Sequence, residues 1–373
     1  MNNELGGERE MLEKGKISPL QLEFMMVPTI IATGVLSIPS IAGKFARHDM
    51  WMTPIVGSII GFITVFIVWK LHQLFPNMTP IEYSEKILGK AVGKILGLFL
   101  VLFYFHGTGL VVKQYANFIS GNVMFHTPSV VFTIGIIFVS ALAVRGGLEV
   151  IARSAIICTT IYISTALTLL LLLRDVEIGF MLPILENGVL PVMKGGLVYN
   201  AWFSEFFLLS FLFPFIKDPK RSLKTGMKAS FYVMLILTYV NFFVLTILGI
   251  SSVNQFYPVY SIIRGISVMG FFQNFEVLIT ASWVLGNFVK VSVFLYVASL
   301  GLAQVFKLSN YRIIVFPLSL LLVLISYWDI PNITVLVDYL TRIQPFYFIL
   351  VQTVLPLLLL IIALARRLRG GST

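Results

Sequence analysis

The sequence predicts an all-α polytopic membrane protein with ten transmembrane helices. Three observations carry that expectation. Hydrophobic residues fill 58% of the 373 positions and charged residues only 12%. Mean hydropathy is +0.92. The apolar residues also gather into about ten long stretches. A hydrocarbon core of about 30 Å takes roughly 20 residues per helix, and backbone in lipid must satisfy its own hydrogen bonds. One membrane domain over residues 1–373 is expected, because no connection is long enough to form a separate soluble unit. The first stretch starts well inside the chain and runs past Gly34 and Pro39, unlike a cleaved signal peptide.

In chain order the expected spans are 18–44, 53–75, 94–124, 128–145, 150–173, 196–216, 226–250, 270–304, 310–328 and 343–365. Loop charge orients them. The tail with Lys14 and Lys16, the 70–94 connection, the Arg145–Arg153 turn, the 217–228 connection, Lys307 with Arg312, and the Arg366–Arg369 end hold 19 of 27 Lys and Arg residues. Six lie on the opposite side, and Lys113 and Lys290 fall inside spans. Both termini are therefore expected in the cytoplasm. This alternation also argues against nucleic acid as the reason for the net charge of +10; the cluster Lys217, Lys220, Arg221, Lys224 and Lys228 suits topology and anionic lipid. Two outer segments, 174–195 and 251–270, have the length of short amphipathic or re-entrant pieces, suited to a lid or a partner surface.

Four spans carry polar or helix-breaking residues. In the first, Thr33-Gly34-Val35-Leu36-Ser37-Ile38-Pro39 invites a local break, since Pro39 cannot donate the hydrogen bond due near Val35; a packed proline kink is the plainer alternative. In the third, Gly107 and Gly109 permit close helix approach, while His106 and Lys113 are either proton-sensitive groups or interior anchors. In the sixth, Ser204 and Glu205 sit among aromatics, where the carboxylate would pair with a cation, carry a proton, or lie near the outer interface. In the eighth, Glu276, Thr280, Trp283, Asn287 and Lys290 recur every three or four residues, making one helical stripe that faces a cavity or a polar helix seam.

Several chemistries find no support. Cys158 is the sole cysteine, so an intrachain disulfide is excluded. The four histidines have no metal-ligand spacing, and no phosphate loop or nucleophile motif occurs in a credible context. No enzyme activity, metal or cofactor is expected.

The run Ile17-Ser18-Pro19-Leu20-Gln21, the Gly34–Pro39 segment, the Asn287–Lys290 run with Tyr296, and the basic connection after Phe215 occur in an order that resembles the B-type subunits of spore germination receptors. That is the spore germination permease family, within the amino acid–polyamine–organocation superfamily. The resemblance spans nearly the whole chain. It implies an amino-acid permease-like fold: inverted five-helix repeats at about 18–173 and 196–365, with broken first and sixth helices around a mid-membrane pocket. The implied ligand contacts are Gly34, Val35, Gly107, Val111, Ser204, Phe206, Thr280 and Trp283. His106, Lys113, Glu205, Glu276 and Lys290 are candidates for gating or coupling. The resemblance further implies a small germinant (an amino acid above all), an A-type membrane subunit and a C-type lipoprotein as partners, and the spore inner membrane as location. A nutrient-sensing subunit is the leading expectation. An ion- or proton-coupled amino-acid transporter and a structural subunit of an ion-conducting complex are the alternatives.

Overall fold

A computed structural model describes residues 12–266, 275–328, 330 and 332–369. Positions 270–274 at the start of the expected eighth span, the first eleven residues of the tail, and Asp329 lie outside the described residues.

The described chain is helical throughout. Helix α1 (Pro19–Ala46) starts on a capping box: the Ser18 side chain accepts from the Gln21 backbone, the Gln21 side chain accepts from the Ser18 backbone, and Pro19 occupies the first turn. It is followed by α2 (Thr53–Leu74), the short amphipathic α3 (Pro80–Leu88), α4 (Lys90–Asn122), α5 (Ser129–Gly146) and α6 (Leu148–Ala166). The second half holds α7 (Leu190–Ser204), α8 (Leu209–Leu212), α9 (Ser222–Leu248), α10 (Pro258–Arg264), α11 (Glu276–Phe306), α12 (Val315–Trp328), α13 (Ile333–Asp338), α14 (Gln344–Ile349) and α15 (Leu355–Ala365). Eight helical stretches among the described residues are long and apolar enough to cross a membrane; the first, Pro19–Leu74, contains both α1 and α2, and α12 is a shorter apolar helix.

The break expected in the first span is absent. Helix α1 runs without interruption through Pro28 and Pro39. Each proline removes one hydrogen bond, and the stretch from Met25 to Gly43, buried throughout, tolerates that loss as a local distortion. The sixth span does change character. α7 ends at Ser204, 3-10 turns follow at Glu205–Leu208 and Phe213–Phe215, and the four-residue α8 lies between them. The last span, expected as one plain helix, carries π turns at Tyr339–Ile343 and Leu350–Val354.

Helix α1 lies at the centre, packed against α6, α7, α9 and α11, and α11 also packs on α4 and α5. Outward-facing apolar side chains such as Ile134, Phe138, Ile157 and Leu320 suit lipid contact. Contacts between loops sort them into two faces. On the basic face, Lys16 reaches the Pro214 carbonyl, Glu13 joins Leu148 and Tyr311, and Arg366 donates to the Ile87 carbonyl. On the other, His48 meets the Phe180 carbonyl, Asp49 accepts from the Leu185 N–H, and Tyr260 donates to the Asn122 carbonyl. These are the two groups of loops that charge alone had separated.

Candidate functional site

Thr33, in the middle of α1, is where the buried polar groups meet. Its Oγ1 accepts from Trp202 Nε1 at 2.9 Å and from Lys290 Nζ at 3.0 Å. Lys290 also donates to both Glu205 oxygens, at 2.9 and 2.8 Å. The two charged side chains are 1% and 2% exposed, so neither charge is hydrated. All three ammonium protons have an oxygen, which is the condition for burying such a pair. The ammonium also lies 5.3 Å from the centre of the Phe294 ring. Glu205 is the first residue after α7, where α-helical bonding tightens to a 3-10 turn.

The network extends from Ser204. Ser204 Oγ donates to the Ala201 carbonyl and accepts from Gln352 Nε2 at 3.3 Å; Gln352 Oε1 accepts from the Tyr104 hydroxyl at 3.1 Å. Tyr104 packs edge-on to Phe294. First, third, sixth, eighth and last spans thus share one connected polar junction. Gln352 and Tyr104 were not foreseen. The signal for Gln352 was available: an amide inside an otherwise Leu/Val-rich stretch, at what proves to be a π turn, a feature enriched at functional sites.

Gly34 and Val35, adjacent in sequence, face different surroundings. A Cβ on Gly34 would stand 2.7 Å from Ile38 Cδ1 and 3.2 Å from Trp202 Cδ1, so the indole covers the glycine. Val35 lines a narrow, mostly apolar cavity of about 30 Å³ with Tyr162, Thr165, Ile279, Ser282 and Trp283. Trp283 Nε1 donates to the Ala32 carbonyl, and Phe118 packs against its ring. Along the same stripe, Thr280 Oγ1 and Asn287 Oδ1 are buried and have no hydrogen-bond partner among the described residues.

The other candidates distribute as follows. Gly107 abuts Phe294, with a Cβ position 3.4 Å from its ring, one contact away from Lys290. Val111 and Phe206 are buried in the core near this junction's helices. Lys113 and His106 line a separate crevice with Ile325 and Ser326 on α12, and the Lys113 ammonium lies 4.6 Å from the Tyr327 ring centre. They do not join the Lys290–Glu205 junction. Glu276 opens α11, about 21 Å along the axis from Lys290 at 1.5 Å per residue, and is likewise remote. The stripe is real from Thr280 to Lys290, all buried, while Glu276 is half-exposed.

Helices around a central α1, with a polar junction and a small cavity at mid-helix, make a membrane-protein fold resembling that of transporters. Solved structures agree on the fold. The chain superposes on MHP1, a nucleobase-cation-symport-1 family transporter in a closed conformation with bromovinylhydantoin bound, with a TM-score of 0.67 and 15% identity over 97% of this chain and 82% of that one. A manganese transporter mutant of Eremococcus coleocola gives 0.63 at 12% identity, covering 93% and 81%. Sequence supplies the family. The spore germination protein profile, Spore_permease, matches residues 16–334, and the chain belongs to that family. It is 26% identical to spore germination protein KB of Bacillus subtilis (strain 168) over 96% of this chain and 97% of that protein. It is 23% identical to spore germination protein A2 of the same organism over 95% and 97%.

Proposed function

We propose that this chain is the B-type, solute-sensing subunit of a spore germination receptor. In this reading it crosses the spore inner membrane ten times with both termini in the cytoplasm. Its two inverted repeats, at about 18–173 and 196–365, belong to the amino-acid permease type. It binds a small germinant, an amino acid first among candidates, and passes the change to an A-type membrane subunit and a C-type lipoprotein.

The observation that carries the reading is the junction of Thr33, Glu205 and Lys290 beside the Val35–Trp283 cavity. A ligand entering between α1 and α11 would meet Gly34, Val35, Thr280 and Trp283. The cavity itself offers the paired Thr165 and Ser282 hydroxyls as polar contacts, and its apolar wall suits an aliphatic body; the unpartnered Thr280 and Asn287 oxygens lie on the same helix outside its lining. Gly107, Val111, Ser204 and Phe206 would complete the surroundings from the third and sixth spans. Because the junction spans three helices, a ligand that favours one arrangement of them shifts the whole bundle's equilibrium. With α1 unbroken, its backbone amides stay engaged in the helix, so side chains bear more of the recognition.

The test is direct binding of amino acids, sugars and nucleosides to the purified full chain in detergent or liposomes, with Gly34→Trp as control. Saturable binding that the control loses supports the reading. Absence of binding by folded protein overturns it in favour of a structural subunit. A second reading, an ion- or proton-coupled transporter, draws on the Lys290–Glu205 pair and on the fold shared with symporters. Solute uptake into liposomes by the isolated chain would favour it over sensing alone.

A further inference from the structure

Residues 12–18 form a strap across the basic face. The Ile17 N–H donates to the Phe215 carbonyl at 2.9 Å, and the Lys217 N–H donates to the Ile17 carbonyl at 2.8 Å, a parallel bridge between Ile17 and Ile216. Ser18 then caps α1. The two spans that carry Thr33 and Glu205 are therefore stitched together at their basic-face ends.

Upstream, the strap holds other elements. Glu13 is 3% exposed. Its carboxylate accepts from the Gly15 N–H at 2.7 Å, the Leu148 N–H at 3.2 Å and the Tyr311 hydroxyl at 2.7 Å. Leu148 begins α6, so the negative charge sits at a helix N-terminus, where it is favoured. The Lys16 N–H donates to Glu149 Oε1 at 3.1 Å and Lys16 Nζ to the Pro214 carbonyl at 3.1 Å. Close approach depends on Gly147, whose φ is +96° and whose Cβ would stand 3.0 Å from the Arg312 guanidinium.

We infer that the strap is a clasp: through Glu13 it fastens the joined first and sixth spans to α6 and to the α11–α12 connection, keeping the basic face closed beneath Glu205. Release of Glu13 frees the pair to move and opens a path from that face. The inference concerns closure of the fold and stands whether or not the cavity binds a solute.

The experiment uses the full chain with Cys158→Ser, which removes the sole thiol, and Ser210→Cys, a buried position on α8 between Glu205 and the basic face. A water-soluble maleimide is added without any solute. Adding Glu13→Ala is expected to raise the labelling rate at least tenfold. Tyr311→Phe removes one of the three donors and is expected to give a smaller rise in the same direction. A thiol placed by Ser252→Cys, buried on the opposite face, reports general loosening and is expected to stay unlabelled. Unchanged labelling at position 210 in monodisperse variants overturns the clasp, and so does an equal rise at both positions. Should Glu13→Ala fail to fold, Tyr311→Phe decides by the same criteria.

Discussion

Replacing Lys290 by Met keeps the length of the side chain and removes its charge. Three hydrogen bonds between 2.8 and 3.0 Å disappear at once, and a carboxylate that is 2% exposed loses its only salt-bridge partner among the described residues. Breaking a buried pair in this way costs about 3–5 kcal/mol. Glu205→Gln leaves the ammonium with an amide oxygen and the Thr33 hydroxyl, and a cost near the lower end of the same range of about 3–5 kcal/mol is expected. The double variant buries no net charge. If the cost of each single variant lies in the orphaned charge, the double variant recovers most of it, with a coupling energy of at least about 2 kcal/mol. Unfolding of the detergent-solubilised protein, followed by tryptophan fluorescence or by loss of the monodisperse peak on heating, measures the four members of the cycle. Additive losses in the double variant would refute the argument, because they would mean that the two groups act on stability independently despite their contact.

Three further outcomes are expected. Gly34→Ala places a methyl 3.2 Å from the Trp202 indole, while the nearer Ile38 Cδ1 is the end of a flexible side chain that can turn away; an overpacking cost of about 1–3 kcal/mol is offset by about 1 kcal/mol of helix propensity, so the net loss should be at most about 2 kcal/mol, with weaker solute binding; thermal unfolding and a binding isotherm check both. Gln352→Leu leaves the buried Tyr104 hydroxyl without its acceptor at a cost of about 1–3 kcal/mol; Tyr104→Phe added to it should recover part of that loss in the same melt. Asn241→Leu removes the acceptor of the Tyr199 hydroxyl, while the Met50 carbonyl keeps the Thr53 hydroxyl and N–H as donors, so a loss of about 1–3 kcal/mol for the one orphaned group is expected, read as a shift in the unfolding midpoint.

The helices were legible in the sequence because lipid imposes length and hydropathy on each one, and the basic loops reveal which ends share a face. Lys290 and Glu205 were legible for a related reason: an ionised side chain inside an apolar stretch needs a partner. Their pairing was not, since the two positions lie 85 residues apart and only the packing of both α11 and the sixth span on α1 brings them together. Lys113 looked equivalent to Lys290 in the sequence, yet it turns to the Tyr327 ring on α12, and nothing in the local pattern of α4 says which neighbour each face meets. The Gly34–Pro39 run illustrates the opposite error. Local rules predict a break there, but close burial between Trp202, Trp283 and Lys290 holds α1 helical. Ile17-Ser18-Pro19-Leu20-Gln21 was recognisable as a motif without a purpose; its cap is local and readable, whereas the bridge to residues 215–217 is tertiary.

The clasp and the junction act on the same two spans, one at their basic-face end and the other at mid-helix, which gives a way to compare them. Moving a two-state protein from 1:99 to 99:1 takes about 5.5 kcal/mol of differential interaction. A hydrogen bond to a charged group contributes about 1.5–3 kcal/mol, so the Leu148 and Tyr311 bonds to Glu13 together contribute about 3–6 kcal/mol, which reaches that figure. A small solute with few polar contacts would supply a similar amount at most. If the clasp opens as inferred, neither element overwhelms the other. Weakening the strap should therefore lower the solute concentration needed for half-maximal response, and strengthening it should raise that concentration, with no residue in the cavity altered. Tyr311→Phe is the mild form of this perturbation. An unchanged half-maximal concentration, in a variant whose labelling at position 210 has risen, would separate opening of the basic face from solute recognition.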